Sequence, residues 1–215
     1  TYQIVTDTNS DLPQSYVKEH GLVEVPQYYS IGDEIYEGSA GPSPSEFYRL
    51  MREGSMPKSQ AVNPAVVEKT FREILDAGKD ILYISFSSAL SGSCDIVRMV
   101  AKQLVEEEYP DAVIEVVDSL CVSLGEGLLV NKALAMQAQG KTLAEVRDWL
   151  VENAVHVCVK FTVDDLFHLQ RGGRVSKATA VVGSVLNLKP VLKLTPEGKL
   201  EAAGTVRGRK KSLTA

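Results

Sequence analysis

Apolar residues along this chain fall into two alternating rhythms: short unbroken runs, and longer stretches spaced three or four residues apart. The clearest pairing begins at Ile81. Ile81-Leu82-Tyr83-Ile84-Ser85-Phe86 is too short for a buried helix and rich in β-branched and aromatic residues, which predicts a strand inside a parallel sheet. Beyond the small-residue loop Ser87 to Ser93, the residues Ile96, Val97, Val100, Ala101, Leu104 and Val105 keep helical spacing. The pattern before it is similar. Tyr2 to Thr6 predicts a strand, with Pro13 opening a helix. Val23 to Glu37 predicts a hairpin turning at Gly32-Asp33. Ser43-Pro44-Ser45-Glu46 has the form of a capping box, which predicts a helix over Phe47 to Glu53 closed by Gly54. Met56 to Pro64 predicts an extended polar connection. Asn63 then caps a helix that buries Val67, Phe71, Ile74 and Leu75 and stops at Gly78.

Val113 to Val117 predicts the next strand, Leu124 to Gln139 a helix, and the capping box Thr142 to Glu145 another helix reaching Asn153. Val155, Val157, Val159, Phe161 and Val163 alternate with polar residues, the period of a strand with one buried face. From there the character changes. A short helix from Asp164 to Gln170, a basic glycine turn Arg171 to Arg174, a small-residue helix from Ser176 to Leu186, and a hairpin of Leu188 to Leu194 with Lys199 to Val206 are expected. Strand-then-helix order is the signature of a parallel α/β layer. The expected fold class is therefore α/β: a parallel-sheet domain over residues 1–158 and a smaller α+β domain over residues 159–215. The basic run Arg207 to Lys211 begins a helix that nothing caps, so the second domain is expected to be incomplete at its C-terminus.

Composition narrows the classes. With 215 residues, 44% hydrophobic and 24% charged, the chain can bury a substantial core. No run approaches the roughly 18 consecutive apolar residues of a membrane span, and the strand-like opening predicts no secretory leader. A net charge of −5 argues against nucleic acid as a partner. Cys94, Cys121 and Cys158 are odd in number and set in apolar pattern, so they read as reduced core residues of a cytoplasmic protein. His20, His156 and His168 show no metal-ligand spacing, and no metal is expected.

Strand, serine-glycine loop and helix together aim unpaired N–H groups and a positive helix end at one spot, which makes Ser91-Gly92-Ser93 a candidate anion site. The same residues also serve simply as turn formers. Asp7 to Pro13 is a second candidate at a strand carboxyl end, though taken alone an N-cap cluster is the better account of it.

Six ordered motifs span the chain: TDTNSDL from Thr6, PKSQAVNP from Pro57, SFSSALSGS from Ser85, VVDS from Val116, FTVDDLFHLQRGGRVS from Phe161, and LKPVLKL from Leu188 followed by VRGRKK. In that order they resemble the DegV family of bacterial fatty-acid-binding proteins. The resemblance implies a long-chain fatty acid, such as palmitate, in a tunnel between two domains, with no other cofactor. It implies that the carboxylate is held by Ser59 and by Ser91 of the loop that also contains Gly92 and Ser93, with Arg174 facing the cleft. The family's threonine-serine-glutamine is Ser59-Gln60-Ala61 here, and its later histidine-glycine-proline-glycine loop has no counterpart. It further implies presentation of the lipid to a fatty acid kinase for acyl-phosphate formation, with Arg207 as the contact. Against this stand a serine-dependent esterase or acyl hydrolase and a phosphate-ligand-binding enzyme. However, Leu90-Ser91-Gly92 is not a G-x-S-x-G elbow, and no GKS or GKT loop occurs.

Overall fold

A computed structural model describes residues 1–38, 40–164, 166–176 and 188–214. Four parallel strands form the centre in the order β2-β1-β6-β7: β1 Tyr2–Asp7, β2 Val23–Val25, β6 Asp80–Ser85 and β7 Ile114–Asp118. The inner pair is in register from Tyr2↔Asp80 to Thr6↔Ile84. Ile4, Val5 and Ile81 to Ile84 are all fully buried, because helices cover both faces. On one face α1 (Gln14–Glu19), α5 (Leu124–Ala138) and α6 (Leu143–Asn153) pack over Ile4, Leu82 and Ile84. On the other, α3 (Pro64–Asp76) and α4 (Ser93–Glu107) pack Val67, Phe71, Val97 and Val100 against Val5, Ile81 and Tyr83. Burying each such side chain stabilises by about 1.5–3 kcal/mol.

Two antiparallel sheets complete the structure. β3 (Tyr28–Ile31), β4 (Glu34–Glu37) and β5 (Lys58–Gln60) lie in the order β4-β3-β5, next to α2 (Pro44–Arg52). Tyr29 stacks on Tyr36 and meets Phe47 of α2 edge-on, each at 5.3 Å between centroids. β8 (Lys160–Thr162), β9 (Leu188–Leu194) and β10 (Leu200–Arg207) form the other sheet, in the order β10-β9-β8. It is accompanied by the short helices α7 (Phe167–Arg171) and α8 (Arg209–Ser212). Leu166 and Leu192, with Phe161, Val163 and Leu169, make a small separate core there.

Several local expectations change. The hairpin spans only Tyr28 to Glu37; Val23–Val25 joins the parallel sheet, where Val25 is buried, and Pro26 separates the two. The polar connection before α3 contains a strand, because Lys58 to Gln60 pairs with β3. Ser43 accepts from the Glu46 N–H, yet Glu46 turns its carboxylate to Arg49, so that box is only half made; the Thr142–Glu145 box is complete. The valine alternation after α6 yields a tight turn at Ala154–His156 and a strand of only Lys160–Thr162. Val157 and Val159 pack on the first core instead of pairing with a neighbouring strand, and Cys158 is exposed, not a core residue. The helix expected from Ser176 to Leu186 lies, beyond Ser176, outside the described residues.

Candidate functional site

β1 has β2 on one side and β6 on the other, so connections diverge at the carboxyl ends of β1 and β6. Ligand crevices of open α/β sheets form at such places. Both polar loops picked out in the sequence emerge there and are joined. Asp7 Oδ2 accepts from the Phe86 N–H at 3.1 Å, while Oδ1 accepts from the Asn9 N–H at 3.0 Å and caps the turn Thr8–Ser10. Asp7 is therefore both a cap and a link to the second loop. Burial pushes its carboxyl up to about 6, against the pull of those two N–H groups and Gln27.

The first half of the β6 loop is tied to its neighbours. Ser87 N–H donates to Cys121 O at 3.0 Å, and Ser88 N–H to Asp118 Oδ1 at 3.2 Å. Ser87 Oγ donates to Gly198 O at 2.9 Å, on the tip of the β9–β10 hairpin. Leu90 and Ser91 N–H return to Ser87 O at 3.1 and 3.2 Å. Arg174 Nε donates to Leu90 O at 3.0 Å, and its Nη1 to Gly172 O, so this exposed arginine braces the loop from outside.

The second half is open. Ser93, fully buried at the start of α4, accepts at Oγ from Val62 N–H at 3.2 Å and from Gln27 Nε2 at 3.0 Å. Both lone pairs are then occupied, and the Ser93 hydroxyl hydrogen has two acceptors in reach, Gln27 Oε1 at 3.4 Å and Ser91 Oγ at 2.9 Å, of which Ser91 is the nearer and better placed. Ser91 Oγ also accepts from the Ser93 N–H at 3.2 Å. Its own hydrogen remains uncommitted. Among the described residues, the N–H groups of Gly92, Cys94 and Asp95 likewise meet no acceptor. A Cβ added at Gly92 would meet nothing within 4 Å, so the space in front is free. Three N–H groups, one hydroxyl and the positive end of a 15-residue helix thus converge.

The remaining predicted residues lie apart. Ser59 sits exposed on β5 opposite Tyr29, three positions before Val62, and its hydroxyl bonds to no described residue. No hydrogen bond among the described residues joins it to Ser91. Arg207 is exposed at the end of β10, opposite Leu188. The sequence reading missed Gln27, Val62, Asp118, Gly198 and Glu126. Of these, only Asp118 carried a signal, as the acidic end of a strand. Burial pushes the Cys94 and Cys121 thiols up to about 11 and 12, and both are poor nucleophiles. Ser91 Oγ meets Ser93 and no described imidazole. No group of three His, Cys, Asp or Glu among the described residues is arranged to hold a metal, and no described helix is long and apolar enough to cross a membrane. A groove of about 390 Å³ opens elsewhere, its walls divided between the charged Arg98, Lys102, Glu106 and Glu115 and the apolar Ala101, Val105, Ile114 and Val116.

Known proteins share this sequence pattern and fold. A DegV domain-containing protein of Streptococcus pyogenes serotype M1 is 40% identical over 216 residues, covering 99% of this chain and 75% of the relative. A Thermus thermophilus DegV family structure described for fatty acid binding superposes with a TM-score of 0.86 at 35% identity, over 98% of this chain and 73% of that one. The Streptococcus pneumoniae fatty acid kinase (Fak) B3 protein, loaded with linoleic acid, superposes with a TM-score of 0.85 at 25% identity, over 100% of this chain and 75% of that one. The family model described as "Uncharacterised protein, DegV family" matches residues 1–215, and with the shared fold and the relative at 40% identity this places the chain in the DegV family.

Proposed function

We propose that this protein binds a long-chain fatty acid with its carboxylate at the start of α4, and that it acts as a carrier without catalysis of its own. The observation that carries the reading is the set of donors left over by the loop: the Ser91 hydroxyl and the N–H groups of Gly92, Cys94 and Asp95. A carboxylate accepts several such bonds and gains about 0.3–1 kcal/mol more from the helix dipole. The acyl chain supplies most of the affinity, about 0.8 kcal/mol per buried methylene before ordering costs. The fatty acids named for the Thermus thermophilus and Streptococcus pneumoniae neighbours support this ligand class.

In this reading residues 1–158 hold the head group and residues 159–215 close a tunnel over the chain. Gly92 keeps the approach open, Ser93 holds the hydroxyl of Ser91 in place, and Arg174 braces the loop. Ser59 serves as a second carboxylate donor from β5, reached by movement of that short exposed strand. The kinase named for the Streptococcus pneumoniae neighbour points to a partner that phosphorylates the presented carboxylate, and exposed Arg207 is the docking contact.

Ser91→Ala tests the assignment. One bond to a charged group is worth about 1.5–3 kcal/mol, so a fluorescent fatty acid should bind roughly ten- to a hundredfold more weakly while the fold persists. Unchanged affinity would refute the placement. Arg207→Glu should leave that affinity alone and slow acyl-phosphate formation with the cognate kinase, most at low salt; an unaltered rate removes the docking role.

A further inference from the structure

Glu126 is the one fully buried carboxyl on α5, and its hydrogen bonds have an arithmetic of their own. Thr6 Oγ1 lies 2.8 Å from Glu126 Oε1 and 2.9 Å from the carbonyl oxygen of Ile84. A threonine hydroxyl has a single hydrogen, and an ionised carboxylate and a carbonyl are both acceptors only. Two acceptors cannot share that hydrogen at these lengths. The contacts are reconciled when Glu126 carries a proton on Oε1: the carboxylic acid donates to Thr6, and Thr6 donates to Ile84. Glu126 Oε2 is buried with no hydrogen-bond partner among the described residues. That position is tolerable for the carbonyl oxygen of a neutral acid and very costly for a carboxylate. The groups around it agree. Burial, Asp7 from β1 and Asp11 from the turn after it disfavour its charged form and outweigh the pull of the Asp7 N–H; Tyr83 from β6 and Cys121 ahead of α5 are its other titratable neighbours, and no described cation compensates.

The surroundings show what the bond holds. Among the described residues, Asp11, Leu120 and Ser123 are the non-glycine residues with positive φ, at 53°, 52° and 52°. They flank the end of β1 and the start of α5, and such residues persist only where neighbouring structure fixes them. A Cβ added at Gly127 would stand 2.8 Å from Ser10 O, so α5 touches the β1 turn backbone to backbone. Leu120, in the held segment, is the seat of the hairpin tip: a Cβ at Gly198 would lie 3.1 Å from Leu120 Cα.

We propose that Glu126 is a proton-carrying positioning residue, a neutral carboxylic acid in the folded chain that donates to Thr6 and pins the left-handed segment on which the β9–β10 hairpin tip rests. The inference does not depend on what the α4 loop binds.

An acid that keeps its proton when folded and loses it when unfolded makes the unfolding equilibrium constant rise about tenfold per pH unit above its ordinary value. Glu126→Gln keeps a neutral donor to Thr6. It should therefore fold, and between pH 6 and 8 its unfolding constant should rise about tenfold less per pH unit than the parent's. Glu126→Ala should unfold more readily at every pH. Independently, the infrared spectrum of the parent in D2O at pH 8 should contain a protonated carboxyl band, where ordinary carboxyls and Asp7 are ionised. Its absence overturns the proposal whether or not the variants fold. A Gln variant with the parental pH slope overturns it as well, and loss of the band in that variant assigns the proton to Glu126.

Discussion

Ser93→Ala separates the architecture of the loop from its binding role. The change deletes one oxygen that accepts from Val62 N–H and Gln27 Nε2 and donates to Ser91. Gln27 and Ser91 are half-buried and can turn to water. Val62, only 2% exposed, cannot, so its N–H is left without an acceptor. A buried donor deprived of its partner costs about 1–3 kcal/mol. For a chain of this size each kcal/mol lowers Tm by about 2–4 °C, which gives a fall of roughly 4–8 °C for a loss near 2 kcal/mol. Thermal unfolding followed by circular dichroism measures it, with Ser59→Ala as the control. Ser59 is exposed and its hydroxyl makes no bond to a described residue, so its loss should stay within about 0.5 kcal/mol. The reasoning fails if both variants melt together, since Ser93 would then not be the acceptor that holds α4 to the segment before α3.

Asp7 should leave a mark on the pH dependence of stability. Its carboxyl rises from 3.8 to about 6 on folding because burial outweighs the N–H groups it accepts from, so the folded state holds the proton more tightly. The associated stability, roughly 3 kcal/mol, is complete below pH 4 and is lost as pH rises through about 6. Asp7→Asn should flatten the urea midpoint between those values; a variant with the parental slope contradicts the assignment. Gly198→Ala should cost more than the roughly 1 kcal/mol usual for a left-handed glycine. The backbone there has φ 74°, and the new Cβ would collide with Ser87 Oγ. Hydrogen exchange confined to the hairpin tip and the Leu120 segment should report it, and unchanged protection there argues against tip docking.

Much of the fold was legible because its signals are local. The apolar run of β6, the Asn63 cap of α3 and the hairpin around Gly198 each depend on a few adjacent residues, and each formed where expected. Val23–Val25 and Lys58–Gln60 misled because three-residue strands carry little pattern, and their partners are chosen by packing. Within the site, Ser91 and Ser93 were visible as a loop before a helix. That Gln27 and Val62 occupy Ser93 was not, since those contacts span 66 and 31 positions. Glu126 was the least visible. One acid in a helix reads as a solvated residue, and the hydroxyl that explains it lies 120 positions away.

The strand order also governs how the chain must be made. β1 sits between β2, which follows it closely, and β6, which pairs with it from Tyr2↔Asp80 onward. During synthesis from the N-terminus, Ile4 and Val5 therefore leave the ribosome long before their central partner exists. The sheet of β3, β4 and β5 can close early, from neighbouring residues, but it covers neither of them. A nascent chain halted ahead of Asp80 carries a bare apolar strand edge, the kind of surface that chaperones hold and that stalled chains aggregate through. Translation speed across residues 80–118 is thus a physical variable for this protein, because β6 and β7 complete the sheet only there.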